Sequence, residues 1–269
     1  MPVINTNASA LNAQNVLKTN SRAMGTAMEQ LSTGNRVNSA KDDAAGLAIG
    51  QTMTAQIRGL NQAVRNANDG INLLQTAEGA MVEQTNMLQR MRELAVQSVN
   101  ATNSNQQRGY LNSEFQELTS QIGAINSQTF WNSTQALASG TLTFQVGTAS
   151  DTVFTVAIDD TTITGLGISG ASVASAGLAS TALGLIDSAL DTVNKQRSTL
   201  GATMNRLTYT ADNLSNVSAN LSASRSSIMD TDYATASSNL SRGQIIQQAA
   251  TAMLAQANQQ PQSVLALLK

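Results

Sequence analysis

Apolar residues recur at alternating steps of three and four along the second half of the chain, and this is the strongest pattern in the sequence. The stripe runs through Leu183, Ile186, Leu190, Val193, Leu200, Met204, Leu207, Ala211, Leu214, Leu221 and Ile228. Polar residues interrupt it only at Arg197, Ser218 and Arg225. Because this spacing continues without a proline, it predicts one long helix of coiled-coil type, about 70 Å in length. Such a helix cannot cover its own stripe, so it requires partner helices.

The first half of the chain provides two candidate partners. A stripe with the same spacing begins a helix that continues to about residue 99, and its members are Met53, Ile57, Leu60, Val64, Ala67, Ile71 and Leu74. After a polar break, a second helix carries on one face Leu111, Phe115, Leu118, Ile122 and Ile125. Together with the long C-terminal helix, these two helices predict an antiparallel bundle.

The start of the first long helix carries a cap signal. Ser39 is a preferred N-cap residue, and Asp42 follows three residues later in the capping-box arrangement. We therefore predict that Ser39 and Asp42 cap this helix. The neighbouring Asp42 and Asp43 could instead form a catalytic or metal-binding pair, but the chain has no histidine to join them, and capping is favoured.

Residues 131–180 follow a different pattern, in which apolar and polar residues alternate. Two strands are predicted, and their apolar faces carry Leu142, Phe144 and Val146, then Phe154, Val156 and Ile158. The GTASD segment between them is typical of a turn, so the pair predicts a β-hairpin. The small residues of 167–180 show no periodicity and are predicted to form a loop.

Both ends of the chain carry weaker, alanine-rich stripes. Their members are Leu17, Met24, Met28 and Leu31 near one end, and Ile246, Ala250, Met253 and Ala257 near the other. Burying an alanine contributes about 1 kcal/mol or less, whereas ordering a residue costs on the order of 1–2 kcal/mol. We therefore expect the two ends to pair, and to become helical only when neighbouring copies of the chain cover them.

The last residues support the same expectation. The chain ends in QQPQSVLALLK, and apolar residues at a frayed end gain nothing unless something covers them. We interpret the apolar members of this tail as an assembly surface that another copy covers; they are Val264, Leu265, Leu267 and Leu268.

These patterns define the fold class as mainly α, a long antiparallel coiled-coil-like helical bundle with a small β-hairpin region and paired N- and C-terminal helices. Three regions are predicted. The terminal layer comprises 1–43 and 228–269, the long-helix bundle comprises 44–130 and 181–227, and the hairpin and loop occupy 131–180.

Composition narrows the functional classes. The absence of cysteine and histidine removes disulfides, thiol nucleophiles, imidazole bases and nearly all zinc and haem sites. A formal charge of −2 gives no basic footprint for nucleic acid, and no apolar run is long enough to span a membrane. The N-terminal residues lack the features of a cleaved signal peptide. We predict no cofactor, no metal and no enzymatic activity.

Several blocks of the sequence resemble bacterial flagellin, in the family's order and across nearly the whole chain. The blocks in the first half are INTNASALNAQ, LSTGNRVNSAKDDAAGLAI, ANDGINLLQTAEGAMVE and LQRMRELAVQSVNATNS. Those in the second half are LGATMNRL, SSIMDTDYA and QIIQQAATAMLAQANQQPQSVLALLK. The resemblance implies a secreted structural subunit that self-assembles into the tubular flagellar filament after type III export. Only about fifty residues separate the two halves, so the family's variable outer domains are expected to be absent or reduced.

The resemblance also implies partners. They are other flagellin subunits, a flagellar secretion chaperone that grips the C-terminal region, the filament cap and the hook-junction proteins. By motif position, a host Toll-like receptor would read a surface that comprises Gln89, Arg90, Leu94, Gln97 and Glu114, and intracellular flagellin sensors would read the C-terminal tail.

Two alternatives are weighed against this interpretation. A hook–filament junction protein of the same family is disfavoured because the C-terminal block is complete. A helical signalling rod, such as a chemoreceptor module, is disfavoured because a β-hairpin lies where a helical tip is expected.

Overall fold

The computed structural model describes residues 6–149 and 152–266, with side chains as far as residue 259. The described residues form five helices, which are α1 (Ala8–Thr33), α2 (Ala44–Val99), α3 (Asn105–Gln128), α4 (Ala176–Met229) and α5 (Tyr233–Ala266). They also form four strands, which are β1 (Phe130–Trp131), β2 (Thr134–Gln135), β3 (Gly140–Gln145) and β4 (Val153–Ile158). The mainly α fold class is confirmed. None of the described helices carries an apolar stretch long enough to cross a membrane.

The chain divides into two compact units. The central unit is Arg58–Ser218, and the terminal unit combines the residues up to Ile57 with those from Ala219 onward. The long helices α2 and α4 contribute residues to both units.

The core of the central unit lies among α2, α3, α4 and the segments between α3 and α4. Its largest fully buried side chains are Leu74, Met81, Leu88, Met91, Leu94, Phe115, Ile122, Leu137, Ile168, Ile186, Leu200 and Leu207. Each such side chain contributes about 1.5–3 kcal/mol when it leaves water. The predicted stripes supply only part of this set of large side chains, namely Leu74 of α2 and Phe115 and Ile122 of α3. The predicted residues that are only half-buried against the core are Val64, Ile71, Leu111, Leu118 and Ile125.

The buried face of α4 differs from the predicted stripe at every second position. Ile186, Val193, Leu200, Leu207 and Ala211 are buried as expected. At the alternate positions the buried residue lies one place earlier than predicted, and these residues are Ala182, Ala189, Gln196 and Thr203. The predicted Leu183, Leu190 and Met204 are only half-buried at the edge of the core. Small side chains occupy the positions of closest contact because they let neighbouring elements approach. Gln196 is accommodated there because its Nε2 donates to the Ala157 carbonyl oxygen of β4, at 3.0 Å.

Two of the three polar interruptions in the α4 stripe have partners on α2. Arg197 forms an ion pair with Glu78 at 2.9 Å. The buried Ser218 donates its hydroxyl hydrogen to Asn61 Oδ1 at 2.8 Å. A polar side chain inside a helical seam is tolerated when the facing helix satisfies it.

The predicted β-hairpin is confirmed. In β3 and β4, Leu142 pairs with Val156 and Phe144 pairs with Phe154. The hairpin lies along α2, where Asn66 Nδ2 donates to the Gln145 carbonyl oxygen at 2.9 Å. Gly70 permits this approach, because a Cβ at that position would come within 3.1 Å of the Phe144 ring.

The predicted loop of 167–180 is wrong in its last five residues, since α4 begins at Ala176. The part before Ala176 is not a free loop, because it is fixed to α2 and α3. Ser98 Oγ donates to the Val173 carbonyl oxygen at 2.6 Å, and the Val173 amide donates to Asn112 Oδ1 at 2.9 Å. This segment therefore covers one side of the core, to which it adds Ile168 and Val173.

A short hairpin before β3 is absent from the predicted elements. Strands β1 and β2 pair through two residues each and are joined by Asn132 and Ser133, both with positive φ. A two-residue turn of this kind favours asparagine, but strands of two residues leave no periodicity to detect.

In the terminal unit, α1 and α5 pack against each other in antiparallel orientation, as predicted. Asn7 Nδ2 donates to the Ala257 carbonyl oxygen, and Asn20 Nδ2 donates to that of Gly243, both at 2.7 Å. We call the contact surface between α1 and α5 the seam. The residues buried in it are all small, and they are Ala10, Ala27, Ala236, Gly243 and Ala250.

The predicted stripes at the two ends are wrong for three of their members, whereas Leu17, Met24 and Leu31 are half-buried. Met28, Ile246 and Met253 are exposed and lie outside the seam that joins α1 to α5. The seam is set by close contact between small residues, so side chains with stronger hydropathy remain on the outer faces.

The segment between α1 and α2 is tied to the end of α4. The backbone amide of Arg36 donates to the carbonyl oxygen of Met229 at 2.6 Å. The guanidinium Nη2 of Arg36 donates to the carbonyl oxygen of Ile228, also at 2.6 Å. The last carbonyls of a helix have no partner within it, and the negative end of the dipole lies there. Arg36 therefore acts as a C-terminal cap for α4.

The predicted cap of α2 requires correction. The Asp42 carboxylate accepts from the amide and hydroxyl of Ser39, which closes a turn ahead of the helix. The residue that caps α2 is Asp43, whose Oδ1 accepts from the Gly46 amide at 2.9 Å. The cap must come directly before the first helical residue, Ala44, and Ser39 is too far upstream to do so.

Candidate assembly and recognition surfaces

The outer faces of α1 and α5 carry the largest exposed apolar side chains of the terminal unit. They include Leu11, Val16, Met28, Ile245 and Met253. A shallow groove between the two helices is lined by Asn12, Asn15, Val16, Thr19, Ala23 and Ile246. Since the seam uses small residues, most of the apolar area of these helices is left for contacts outside the chain.

The predicted assembly tail lies at the far end of α5. Val264 and Leu265 belong to the last turn of this helix, and their side chains are outside the described part of the structure. Leu267 and Leu268 lie outside the described residues altogether. Their role as an assembly surface stays a prediction.

Four of the five predicted receptor residues are exposed. Arg90 is paired with Glu114 of α3 and with Glu93 of its own helix, each at 2.9 Å. The hydrogen bond to Glu114, followed by the one to Glu93, raises the pKa of Arg90 above its usual value. Gln89 and Gln97 line a shallow depression on α2 together with Glu93.

Leu94 differs from the other four. It is 1% exposed and belongs to the core cluster of the central unit. The exposed apolar residue nearby is Val96, which lines the same depression as Gln89. A partner that binds this face of the folded chain would therefore contact Val96 and the polar residues, whereas Leu94 holds the helix beneath them.

The carboxylate of Asp232 caps α5. Its Oδ1 accepts from the amides of Ala234 and Thr235, and its Oδ2 accepts from the Thr235 hydroxyl at 2.8 Å. These bonds, the Thr235 hydroxyl first, hold the pKa of Asp232 below its usual 3.8. The hydrogen bond from the Ser39 hydroxyl similarly lowers the pKa of Asp42.

We expect Asp232→Ala to lower the thermal stability of the terminal helices at pH 7 and to have a smaller effect at pH 2. The folded pKa lies below the unfolded one, so the carboxylate stabilises fully above pH about 4 and loses this effect as the pH falls through the folded pKa. Thermal unfolding followed by circular dichroism at both pH values measures the difference. Asp232→Asn, which retains a capping oxygen but not the charge, is the control and should lose less stability than Asp232→Ala at pH 7, with no titration of its own at this position. An equal loss for Asp232→Ala at both pH values would contradict the titration.

Among the described residues, no group of three or more acidic side chains is placed to hold a metal ion. The features that the described surface does present are exposed apolar helix faces and exposed ion pairs. The fold and these surfaces define a long-helix bundle protein with exposed apolar helix faces.

Comparison with known proteins identifies the family. A model described as the bacterial flagellin N-terminal helical region matches residues 4–142, and one described as the C-terminal helical region matches 183–268. The flagellin of Halalkalibacterium halodurans is 45% identical over 271 aligned residues, which cover 99% of this chain and 100% of that protein. The chain belongs to the bacterial flagellin family and is a structural subunit of the flagellar filament, which lies outside the cell. The alternatives of a junction protein and a signalling rod are not favoured.

Other relatives match only part of this chain, and some of them are much longer. The flagellin of Salmonella typhimurium is 53% identical over 146 residues, which are 54% of this chain but only 30% of that longer protein. The crystal structure of Bacillus cereus flagellin superposes with a TM-score of 0.51 at 29% identity, covering 56% of this chain and 88% of that one. A putative flagellar hook-associated protein from Vibrio parahaemolyticus has a TM-score of 0.57 at 14% identity and covers 70% of this chain and 100% of that one, which shows the fold alone.

Proposed function

We propose that this filament subunit polymerises by burying the outer faces of α1 and α5 against other copies of the chain. The observation that carries the proposal is the division of side chains on these helices. Small residues such as Ala27 and Ala250 form the contact within the chain, and large ones such as Leu11 and Ile245 are exposed. The tail residues Val264, Leu265, Leu267 and Leu268 would extend the same surface.

The energetics favour this arrangement. A seam of alanine and glycine contributes little burial, so α1 and α5 gain much of their stabilisation only when their outer faces leave water. A half-exposed leucine that becomes buried adds about 1 kcal/mol. Several such residues on each copy give an association free energy that single subunits in dilute solution lack.

Leu11→Gln is expected to raise the critical concentration for polymerisation about tenfold, because a polar side chain replaces an apolar one in the proposed contact. Leu178→Gln in α4 is a matched control, since both leucines are 51% exposed. Sedimentation of polymer at a series of subunit concentrations measures the effect. The proposal requires the Leu11 variant alone to shift the critical concentration, and equal shifts in the two variants would contradict it.

We further propose that the exposed face of α2 around Arg90 is recognised by a host Toll-like receptor. The support is the pairing of Arg90 with Glu114, which fixes two opposite charges, and the exposed apolar Val96 further along α2. Gln89 and Gln97 would add polar contacts. If neighbouring subunits cover this face in the filament, the receptor would bind the free subunit only.

The remaining partners are proposed on the family relationship. A flagellar secretion chaperone would cover the C-terminal part of α5 before export, which would prevent premature polymerisation. The filament cap, the hook-junction proteins and intracellular flagellin sensors would meet the same terminal segments.

A further inference from the structure

The methionines of this chain differ in exposure, and the two most exposed of the described ones both lie in the terminal unit. Of the ten in the sequence, the structure describes nine, and Met28 and Met253 are 53% and 67% exposed. Both lie on the terminal helices α1 and α5. The other described methionines are half-buried or buried, and they are Met24, Met53, Met81, Met87, Met91, Met204 and Met229.

Exposure of Met28 and Met253 does not arise from poor packing of the helix pair. Met24, one turn before Met28, faces the seam, where a Cβ on Gly243 would lie 3.6 Å from Met24 Cβ. Met28 and Met253 are outside that seam, so a change in their side chains leaves the contact between α1 and α5 in place. A change in the Met28 or Met253 side chain would therefore affect only the contact between the outer faces of α1 and α5 and the partner that covers them.

We propose that Met28 and Met253 are oxidation sites through which a peroxide blocks assembly of the free subunit. The thioether sulfur attacks one peroxide oxygen, the O–O bond breaks, and an S–O bond forms. The proton on the transferred oxygen passes to the departing oxygen, which leaves as water. The sulfur loses two electrons and the peroxide gains them, so the product is methionine sulfoxide.

The inference rests on the proposed function, in which the outer faces of α1 and α5 become buried between copies. A sulfoxide is a polar acceptor, and its burial against apolar side chains without a donor is unfavourable. Oxidation therefore weakens the binding free energy of every contact in which an oxidised subunit takes part. We expect the critical concentration for polymerisation to rise about tenfold. The interior methionines react slowly, so the subunit itself stays folded.

The first test maps oxidation in the full-length chain. Free subunits and assembled filaments are exposed to dilute hydrogen peroxide, and peptide mass spectrometry follows sulfoxide formation at each methionine over time. In free subunits, positions 28 and 253 are expected to react first, well ahead of the buried Met81 and Met91. In filaments, the same two positions are expected to be protected.

The second test measures polymerisation after brief oxidation. The wild-type chain should show the raised critical concentration, and treatment with methionine sulfoxide reductases should restore it. A Met28→Leu and Met253→Leu double variant keeps apolar side chains of similar volume and should assemble normally with or without peroxide. Met53→Leu with Met204→Leu is the matched control and should remain sensitive. If the first double variant does not assemble, each single substitution should remove part of the sensitivity.

The possible results separate the two proposals. Similar oxidation rates at all described methionines in the free subunit would overturn the inference, and so would normal polymerisation of subunits oxidised at 28 and 253. Equal rates at these two positions in free subunits and in filaments would instead overturn the proposed burial of the outer faces.

Discussion

A fragment of residues 44–227 will remain monomeric at concentrations at which the full chain polymerises. It contains the whole central unit, Arg58–Ser218, and therefore the entire cluster of large buried side chains. It lacks α1 and α5, and with them the outer faces that carry Leu11 and Ile245. Because the proposed contacts between copies lie on the missing helices, the expected loss of polymerisation is complete rather than partial.

Sedimentation of both chains at equal concentration measures this result, and circular dichroism checks that the fragment is helical. The fragment should stay in the supernatant with a cooperative thermal transition, while the full chain forms a pellet. A folded fragment that also sediments as polymer would remove the role assigned to the terminal helices. The same two samples test the expectation that assembly stabilises the ends. Amide exchange in the dilute full-length chain should be faster in α1 and α5 than in the central unit, and it should slow in both helices once filaments form.

Leu94→Ala will destabilise the central unit by about 2–5 kcal/mol, because it leaves a cavity in a core where Leu94 is 1% exposed. Val96→Ala, two residues along the same helix, removes an exposed side chain and should change the free energy of unfolding by less than about 0.5 kcal/mol. Chemical denaturation of the full-length chain measures both. Similar values for the two variants would mean that Leu94 does not pack in the core.

The receptor hypothesis must therefore be tested at Arg90 and not at Leu94. Arg90→Ala breaks exposed ion pairs, which contribute at most about 1 kcal/mol, so the fold should be retained while receptor signalling falls. Arg65→Ala is a suitable control, since Arg65 is an arginine of the same helix whose hydrogen bonds go to Gln62. Undiminished signalling by the Arg90 variant, or an equal loss in the Arg65 variant, would remove the proposed site.

The long helices could be predicted from sequence because their stripes are regular and uninterrupted by proline. The choice of seam on α4 could not be predicted fully. Leu183, Leu190 and Met204 carry a stronger hydropathy signal than Ala182, Ala189 and Thr203, yet the latter three are the buried residues. Hydropathy measures what a side chain gains on leaving water, whereas the seam is decided by how closely two elements can approach. In the terminal helices, likewise, the strongly apolar Met28 and Met253 are exposed, whereas small residues fill the contact between α1 and α5.

Polar features were predicted less well than apolar ones. The cap of α2 lies at Asp43 because the helix begins four residues later than a cap at Ser39 requires, and helix starts are poorly defined by periodicity alone. The resemblance to flagellin placed Leu94 on a recognition surface, and the structure places its side chain in the core. The capping of α4 by Arg36 joins residues that are far apart in the chain, so it cannot be predicted from a local sequence pattern.

Two asparagines, Asn7 at the N-cap of α1 and Asn20 within the helix, control how far α1 and α5 can slide along each other. Asn7 and Asn20 each donate to one particular carbonyl oxygen of α5, and sliding the helices by one turn, about 5.4 Å, would break both bonds at once. An alanine seam by itself would tolerate such slippage, because its members are nearly interchangeable. The amides therefore fix the register of the pair, in the way that a polar residue aligns a coiled coil. A filament repeats one subunit many times, so a misaligned copy would be a lattice defect, and these bonds keep the repeat uniform.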